Sequence, residues 1–432
     1  VDDVELLHRL QFAVCAAFHY LFPQLSMGLA FLLVLARRRA RSDAAAEAFV
    51  QTWTRLFALT FVFGVVTGIP LQFLIGASFA PFAASAGEIF GQALGLEVTF
   101  AFFVESLAIG VLLYGGDREG HRGRFVAAVL VWVGSWLSGV FVVAANAWMQ
   151  HPVGHRLLAD GTFELDSLGA LFANPWFLPQ ISHTLAGTLL TGGAVVASVG
   201  ALRLLSERRV EQGRFELRLG IPTALIACLL LGLSGDQQGQ QVALHQPATL
   251  AAMEGLFETE EGAPLVLIGQ PNMREQRLDN PIELPRVLSF LTHKRWGARV
   301  QGLDAFPRDE WPTQVPLLYY AYHIMVGLGT LLCAAYALGA WRLWRGRLFG
   351  DQRLLWLLLL LAPFPYIANT AGWLVAELGR QPWTVHGLLR TSDAVSQHVS
   401  SGNALFSLLG FLGTYGALAL LYAVLWVREV SR

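Results

Sequence analysis

A chain of 432 residues that is 54% hydrophobic and only 14% charged is too apolar for a water-exposed globule. Its apolar runs are long enough to cross a hydrocarbon core about 30 Å thick, which takes roughly 20 helical residues each. The formal charge of −1 gives no reason to expect nucleic acid, and Lys294 is the one lysine among 30 basic residues.

In chain order the runs predict nine transmembrane helices, at roughly residues 10–36, 51–76, 92–114, 124–147, 178–203, 216–234, 315–341, 354–376 and 404–428. The fold class is an all-α polytopic membrane protein. The start VDDVELLHRL lacks the basic segment and small-residue cleavage site of a signal peptide, so the first run is expected to remain as a span. ARRRARSD (36–43), DREGHRGR (117–124), the 203–218 segment with five arginines and WRLWRGR (341–347) form one Arg-rich set, joined by the C-terminal tail. The positive-inside rule assigns that set to the cytoplasm, with the N-terminus outside and the C-terminus cytoplasmic. Among the outward connections, 235–314 is much the longest and is rich in Gln, Pro, Glu and Asp. Loops of that length without periodicity are functional or disordered. The chain therefore divides into 1–234 with six helices, 235–314 outside the membrane, and 315–432 with three helices. Cys15, Cys228 and Cys333 lie in apolar runs without a CxxC pair and read as packing residues.

Ionisable and soft side chains recur at membrane depth: His19 in AFHYLF, Glu97 and Glu105 in LEVTFAFFVES, His183 in ISHTLAG, His323 and Met325 in YHIMVG, and Glu377 in WLVAELGRQPW. On the predicted topology His19, Glu97, His183, Met325 and Glu377 share the outer half of the membrane. Such residues are costly in hydrocarbon unless they bind something. A His and a Met on different helices at similar depth suit the two axial positions of an electron-transfer haem. His183 with Met325 fits, although Met325 also reads as core filler and His19 as an interhelical hydrogen-bonder. Glu97 and Glu105 lie about 12 Å apart along one helix and within about a quarter turn of one face, a spacing that suits a proton relay or a single packed neutral acid.

Together the blocks RLQFAVCAAFHYLF, LEVTFAFFVES, VVAANAWMQHPVG, ISHTLAG, LSGDQQG, HQPATLAAMEG, YHIMVGLG and AGWLVAELGRQPW resemble, in order and over essentially the whole chain, the large quinol-oxidising subunit of cytochrome bd oxidases. The resemblance implies a bacterial inner-membrane protein with a low-spin haem b, a high-spin haem b and a haem d near the outer face. It implies that His183 and Met325 bind the low-spin iron and that His19 and Glu377 bind the high-spin pair. Glu97 is then the acid beside that pair and Glu105 lies on the proton path. Asn146 is expected near the low-spin haem, and Arg380, Pro382 and Trp383 are expected to position Glu377 and the propionates. Residues 235–314 correspond to the short form of the quinol loop, with Glu254 as the quinol acid and Asp236 where the loop leaves the membrane. The implied partners are quinol, O2, a second oxidase subunit (subunit II or a paralogue of this chain) and a small single-span subunit.

Two positions depart from the pattern. Thr249 stands where the family usually has Lys, five residues before the loop glutamate, and His323 stands where Arg often precedes the haem methionine. Arg holds a permanent charge, whereas His does not. These departures leave room for a paralogous subunit that keeps its haem pockets but oxidises quinol poorly. A transporter using Glu97 and Glu105 as a coupling pair is a further reading, without the broken-helix pairs or inverted repeats such proteins show.

Overall fold

The computed structural model describes residues 4–115 and 120–431. Residues 117–119 of the predicted cytoplasmic DREGHRGR connection, and the first three of the chain, lie outside the described residues. Among the described residues nine helices are long and apolar enough to cross a membrane: Val4–Arg39, Ala44–Ser78, Ala80–Tyr114, Gly120–Gln150, Phe177–Leu205, Val210–His245, Val315–Trp344, Gln352–Arg380 and Ser401–Ser431. All nine predicted spans are present, and most run past their apolar segments, because a nucleated helix continues through polar residues until something stops it.

Phe177–Leu205 is the central helix, buried over almost its whole length. Small residues let its neighbours touch it backbone to backbone. A Cβ at Gly192 would lie 2.8 Å from the Gly28 carbonyl carbon of the first span, and one at Gly220 of the sixth span would lie 2.5 Å from the Gly193 carbonyl oxygen. The ninth span is peripheral and turns Phe406, Leu409, Leu420, Val424 and Val427 away from the bundle.

Three spans are interrupted, and only proline marks two of these sites in the sequence. The first breaks at Tyr20, between helices Val4–His19 and Leu21–Arg39. Pro23, which has no N–H, cannot bond the His19 carbonyl four residues back. The eighth breaks between Leu360 and Phe364, at Pro363. In the third, Glu97–Phe102 forms a π-helical turn, a widened geometry that often accompanies function.

The predicted boundary at 234/235 falls inside a helix. The sixth helix continues through the Gln-rich GDQQGQQ to His245, and Pro247 then opens the short helix Pro247–Glu254. The rest of the long connection is ordered. Strands Leu265–Asn272 and Arg277–Leu284 pair antiparallel, Val266 opposite Glu283, and Glu260–Glu261 pairs with Arg299–Val300. An apolar core that includes Trp148, Leu250, Met253 and Leu318 joins this segment to the bundle.

Candidate functional site

The two histidines predicted as ligands are held in the same way. His19 Nδ1 lies 3.0 Å from Thr67 Oγ1, and that hydroxyl spends its only proton on the Phe63 carbonyl, 2.8 Å away. A Thr67 hydroxyl bonded back to its own helix is left to accept from His19, an arrangement that assigns the proton to Nδ1 and the lone pair to Nε2. His183 Nδ1 likewise lies 3.1 Å from Ser234 Oγ, whose proton goes to the Leu230 carbonyl at 2.7 Å. A second hydrogen bond that fixes the tautomer is what orients an imidazole for a metal. The ring of His19 also needs Gly68, where a Cβ would approach Cε1 to 2.9 Å.

Met325 packs over Gly372 of the eighth span, its sulfur 2.9 Å from the position a Cβ would take there. It borders the same apolar core as Leu185, two residues from His183. Glu377 Oε1 accepts from Asn146 Nδ2 at 2.9 Å, and Oε2 accepts from Arg380 Nη2. Asn146 in turn accepts from Gln180 Nε2 at 2.7 Å, one turn before His183. Asn146 thus links the Glu377 carboxylate to the His183 helix. Arg380 is 4% exposed, and its Nε and Nη1 have no partner among the described residues. A buried guanidinium with two open donors fits an anionic group such as a propionate. No group of three or more His, Cys, Asp or Glu side chains gathers to hold a bare metal ion among the described residues. The single donors on separate helices fit a haem, which brings its own equatorial ligands.

Both span carboxylates reach the fourth span. Ser138 Oγ donates to Glu97 Oε1 at 2.6 Å, and Ser135 Oγ donates to Glu105 Oε1. The two serines lie one turn apart on one face, so the acids look along a common line.

Glu254 ends the short helix and is 2% exposed. Burial pushes its carboxyl up to about 7, the neighbouring Tyr322 hydroxyl of the seventh span acting the other way. Gly255 caps the helix at φ +68°, where a Cβ would strike Leu278 at 2.8 Å and Tyr319 at 3.0 Å; only glycine fits. Thr249 is buried and donates to the Gly379 carbonyl at 2.7 Å, which joins the short helix to the segment carrying Glu377 and Arg380.

Other predicted residues sit elsewhere in the network. Asp236 is half exposed and paired through both oxygens with Lys294, at 2.7 and 2.9 Å. His323 places Nδ1 2.9 Å from the Tyr319 carbonyl and Nε2 3.1 Å from the Val266 carbonyl of the hairpin. It pins the hairpin to the span, so it does not copy an arginine fork. Trp383 stacks under the Arg390 guanidinium, 4.9 Å from the ring centre. The sequence reading missed Thr67, Ser234, Ser135, Ser138 and Tyr322, and also His151, His245 and His386. The rings of His151 and His245 lie 4.0 Å apart. Burial, then the charges of Arg380, His151 and His245, push His386 down to about 4.

The chain matches the family model for cytochrome bd terminal oxidase subunit I over residues 7–432. It is 32% identical over 438 residues to the cytochrome bd ubiquinol oxidase subunit 1 of Bacillus subtilis (strain 168), covering 99% of this chain and 93% of that protein. It is 33% identical over 437 residues to a putative cytochrome bd menaquinol oxidase subunit I of the same organism, covering 99% and 96%. The solved structure of bd oxidase from Geobacillus thermodenitrificans superposes with a TM-score of 0.93 at 30% identity, covering 100% of this chain and 99% of that one. The chain is a multi-pass protein of the bacterial cytoplasmic membrane and belongs to the cytochrome bd terminal oxidase subunit I family, whose members are haem-binding quinol oxidases that pair with a subunit II.

Proposed function

We propose that this chain oxidises quinol at the outer membrane face and reduces O2 to water, with the N-terminus outside and the C-terminus cytoplasmic. Two quinols release four electrons and four protons, and one O2 takes up four of each to give two waters. The observation that carries this reading is the matched pair of hydroxyl-fixed imidazoles, His19 with Thr67 and His183 with Ser234. His183 and Met325 would hold a low-spin haem b, and His19 and Glu377 a high-spin haem b and a haem d. When bound, these groups supply the electron transfer and the oxygen chemistry. The chain's own residues handle protons and orientation. Glu254 takes a proton from the quinol hydroxyl as its electrons leave. Glu105 and Glu97 carry protons from the cytoplasm toward the high-spin pair, each steadied by a serine of the fourth span. Asn146 and Arg380 hold the Glu377 carboxylate from two sides. Because electrons enter from outside and protons from inside, charge separates without a pumping residue.

A second reading is a paralogous subunit with a weakened quinol site, serving as an assembly partner. One observation favours it: Thr249, at the position where the family resemblance leads one to expect a lysine, is packed tightly against Gly379, its Cγ2 2.5 Å from where a Cβ would stand. A reduced-minus-oxidised optical spectrum of the purified complex, with and without carbon monoxide, tests the haem assignments. His183→Ala should remove the low-spin bands while the protein still assembles, and an unchanged spectrum would remove that assignment. Quinol-driven oxygen uptake by the same preparation separates the two readings.

A further inference from the structure

The hairpin of strands Leu265–Asn272 and Arg277–Leu284 is apolar at its base and charged at its tip. Leu265 stands opposite Leu284 and Ile268 opposite Ile282, while Arg277 near the tip pairs with Glu275 and Asp279. The register is irregular on both sides of Ile268, and Leu267 and Ile268 both come out of the sheet. Leu267, Ile268, Ile282 and Leu284 are all exposed, Ile268 to 64% and Ile282 to 56%. Glu283 lies opposite Val266 and points to the other face from its neighbours Ile282 and Leu284. A contiguous aliphatic patch on an ordered strand marks a surface that something covers.

Two contacts fix the level of this patch against the bundle. The Val266 carbonyl meets His323 Nε2 at 3.1 Å, and a Cβ at Gly269 would lie 3.0 Å from the Tyr319 hydroxyl. Strand Leu265–Asn272 therefore runs beside the first three turns of the seventh span, which opens at Val315. Next to the strand that span turns Tyr320 and Ile324 outward. The segment after the hairpin is held at a similar level, because Lys294 pairs with Asp236, two residues or about 3 Å beyond Ser234 on the sixth span. Trp296 stacks on Phe290 at 4.4 Å and is itself exposed. Tryptophan and tyrosine rings with a lysine at one level are the composition of a membrane interface. The sheet has two strands, so the outer edge of Arg277–Leu284 keeps unpaired N–H and C=O groups. Those groups need water or headgroups, which sets the limit of depth.

We propose that the base of this hairpin and the segment carrying Trp296 form a lip seated in the adjoining membrane leaflet, with Leu267, Ile268, Ile282, Leu284 and Trp296 at the boundary between headgroups and acyl chains. The occupant of the patch is lipid, because the patch continues the lipid-facing side of the seventh span at the level of that helix's first turns. This depends on the spans and not on the haem or quinol assignments. Nearer its tip the hairpin touches the short helix of Glu254, where a Cβ at Gly255 would strike Leu278 at 2.8 Å. The lip thus leaves one sheet between lipid and that helix.

The test uses the complex reconstituted without quinol in vesicles of phosphatidylethanolamine and phosphatidylglycerol. A nitroxide is attached to Ile268→Cys, to Ile282→Cys or, at the tip, to Arg274→Cys. The unsubstituted protein, with Cys15, Cys228 and Cys333, gives the labelling background. Power saturation then compares collisions with oxygen, which concentrates in lipid, with collisions with a water-soluble nickel complex. At positions 268 and 282 oxygen should exceed nickel several-fold, and at position 274 the order should reverse. Trp296→Cys, on a different element, should behave as positions 268 and 282 do, and it keeps the test open should a hairpin variant assemble poorly. Nickel dominating at 268, 282 and 296 would put the patch in water and overturn the proposal. Labels shielded from both reagents would put the patch under a protein partner, which overturns it as well.

Discussion

Glu216 and Glu254 are both sealed carboxylates, 0% and 2% exposed, yet their surroundings are opposite. Glu216 Oε1 accepts from Arg203, from Trp53 Nε1 at 2.9 Å and from Gln212 Nε2 at 3.3 Å. Three spans, the second, fifth and sixth, are thereby stitched near the Arg-rich end. Glu254 has no cation against it: its Oε2, like that of Glu216, has no partner among the described residues, and the neighbouring group is the neutral Tyr322 hydroxyl. A carboxylate buried against a permanent cation is part of the scaffold, because removing either partner strands a charge. One buried against a phenol can gain and lose a proton where it sits. The difference lies in the partners, since burial is the same.

The comparison is broken most directly by removing each acid's defining feature. Glu254→Gln should lower quinol-driven oxygen uptake by about 10²-fold or more, the usual scale for a lost acid–base group, with haem content unchanged. Arg203→Ala should do the reverse. It should cost about 3–5 kcal/mol of stability, as breaking a buried pair does, read as lower yield and earlier thermal unfolding, with normal turnover per assembled haem. If Arg203→Ala instead assembled normally and turned over slowly, the division between scaffold and site would be wrong.

A smaller effect is expected from the hydroxyl behind a ligand. Ser234→Ala should weaken haem retention by about 10–100-fold, the scale on which partners behind a metal-binding histidine act, as checked by haem loss on dilution. Thr249→Lys should lower quinol turnover several-fold without raising it, because the lysine would lose the Gly379 hydrogen bond and press on a glycine already in contact. A rise in turnover would instead mark Thr249 as the weakness of a degraded site.

The spans, their number and the ligand candidates were legible because apolar length and ionisable residues at depth are local signals. In the fold His19 and His183 each meet a hydroxyl of another span, Glu377 meets Asn146 and Arg380, and Met325 packs over Gly372. What was not legible depends on partners far along the chain. A serine or threonine in a span normally bonds its own preceding turn, as Thr67 and Ser234 do, and nothing local says that its lone pairs serve a histidine 48 or 51 residues away. The Asp236–Lys294 pair spans 58 residues and required the folded loop. Tyr322 was hidden because an aromatic inside YYAYHIM reads as core. The π turn at Glu97 has no composition of its own, and the extension of the sixth helix to His245 was masked by treating polarity as the end of the helix rather than the end of the membrane.

The smallest expected effect is on stability against pH, and it sharpens the comparison by testing Glu254 as a titrating group in place. Its carboxyl is raised from 4.5 to about 7 by burial, so the folded state favours the protonated form more than the unfolded chain does. The sign follows from linkage. The contribution is fully present below 4.5 and is lost as pH rises through about 7. Thermal unfolding of the solubilised complex should therefore shift down by a few degrees between acidic and mildly alkaline buffer. In Glu254→Gln that part of the shift should vanish, because the amide has no proton to lose. An equal shift in both proteins would mean that the buried acid stays in one protonation state throughout, which a group that accepts the quinol proton cannot do.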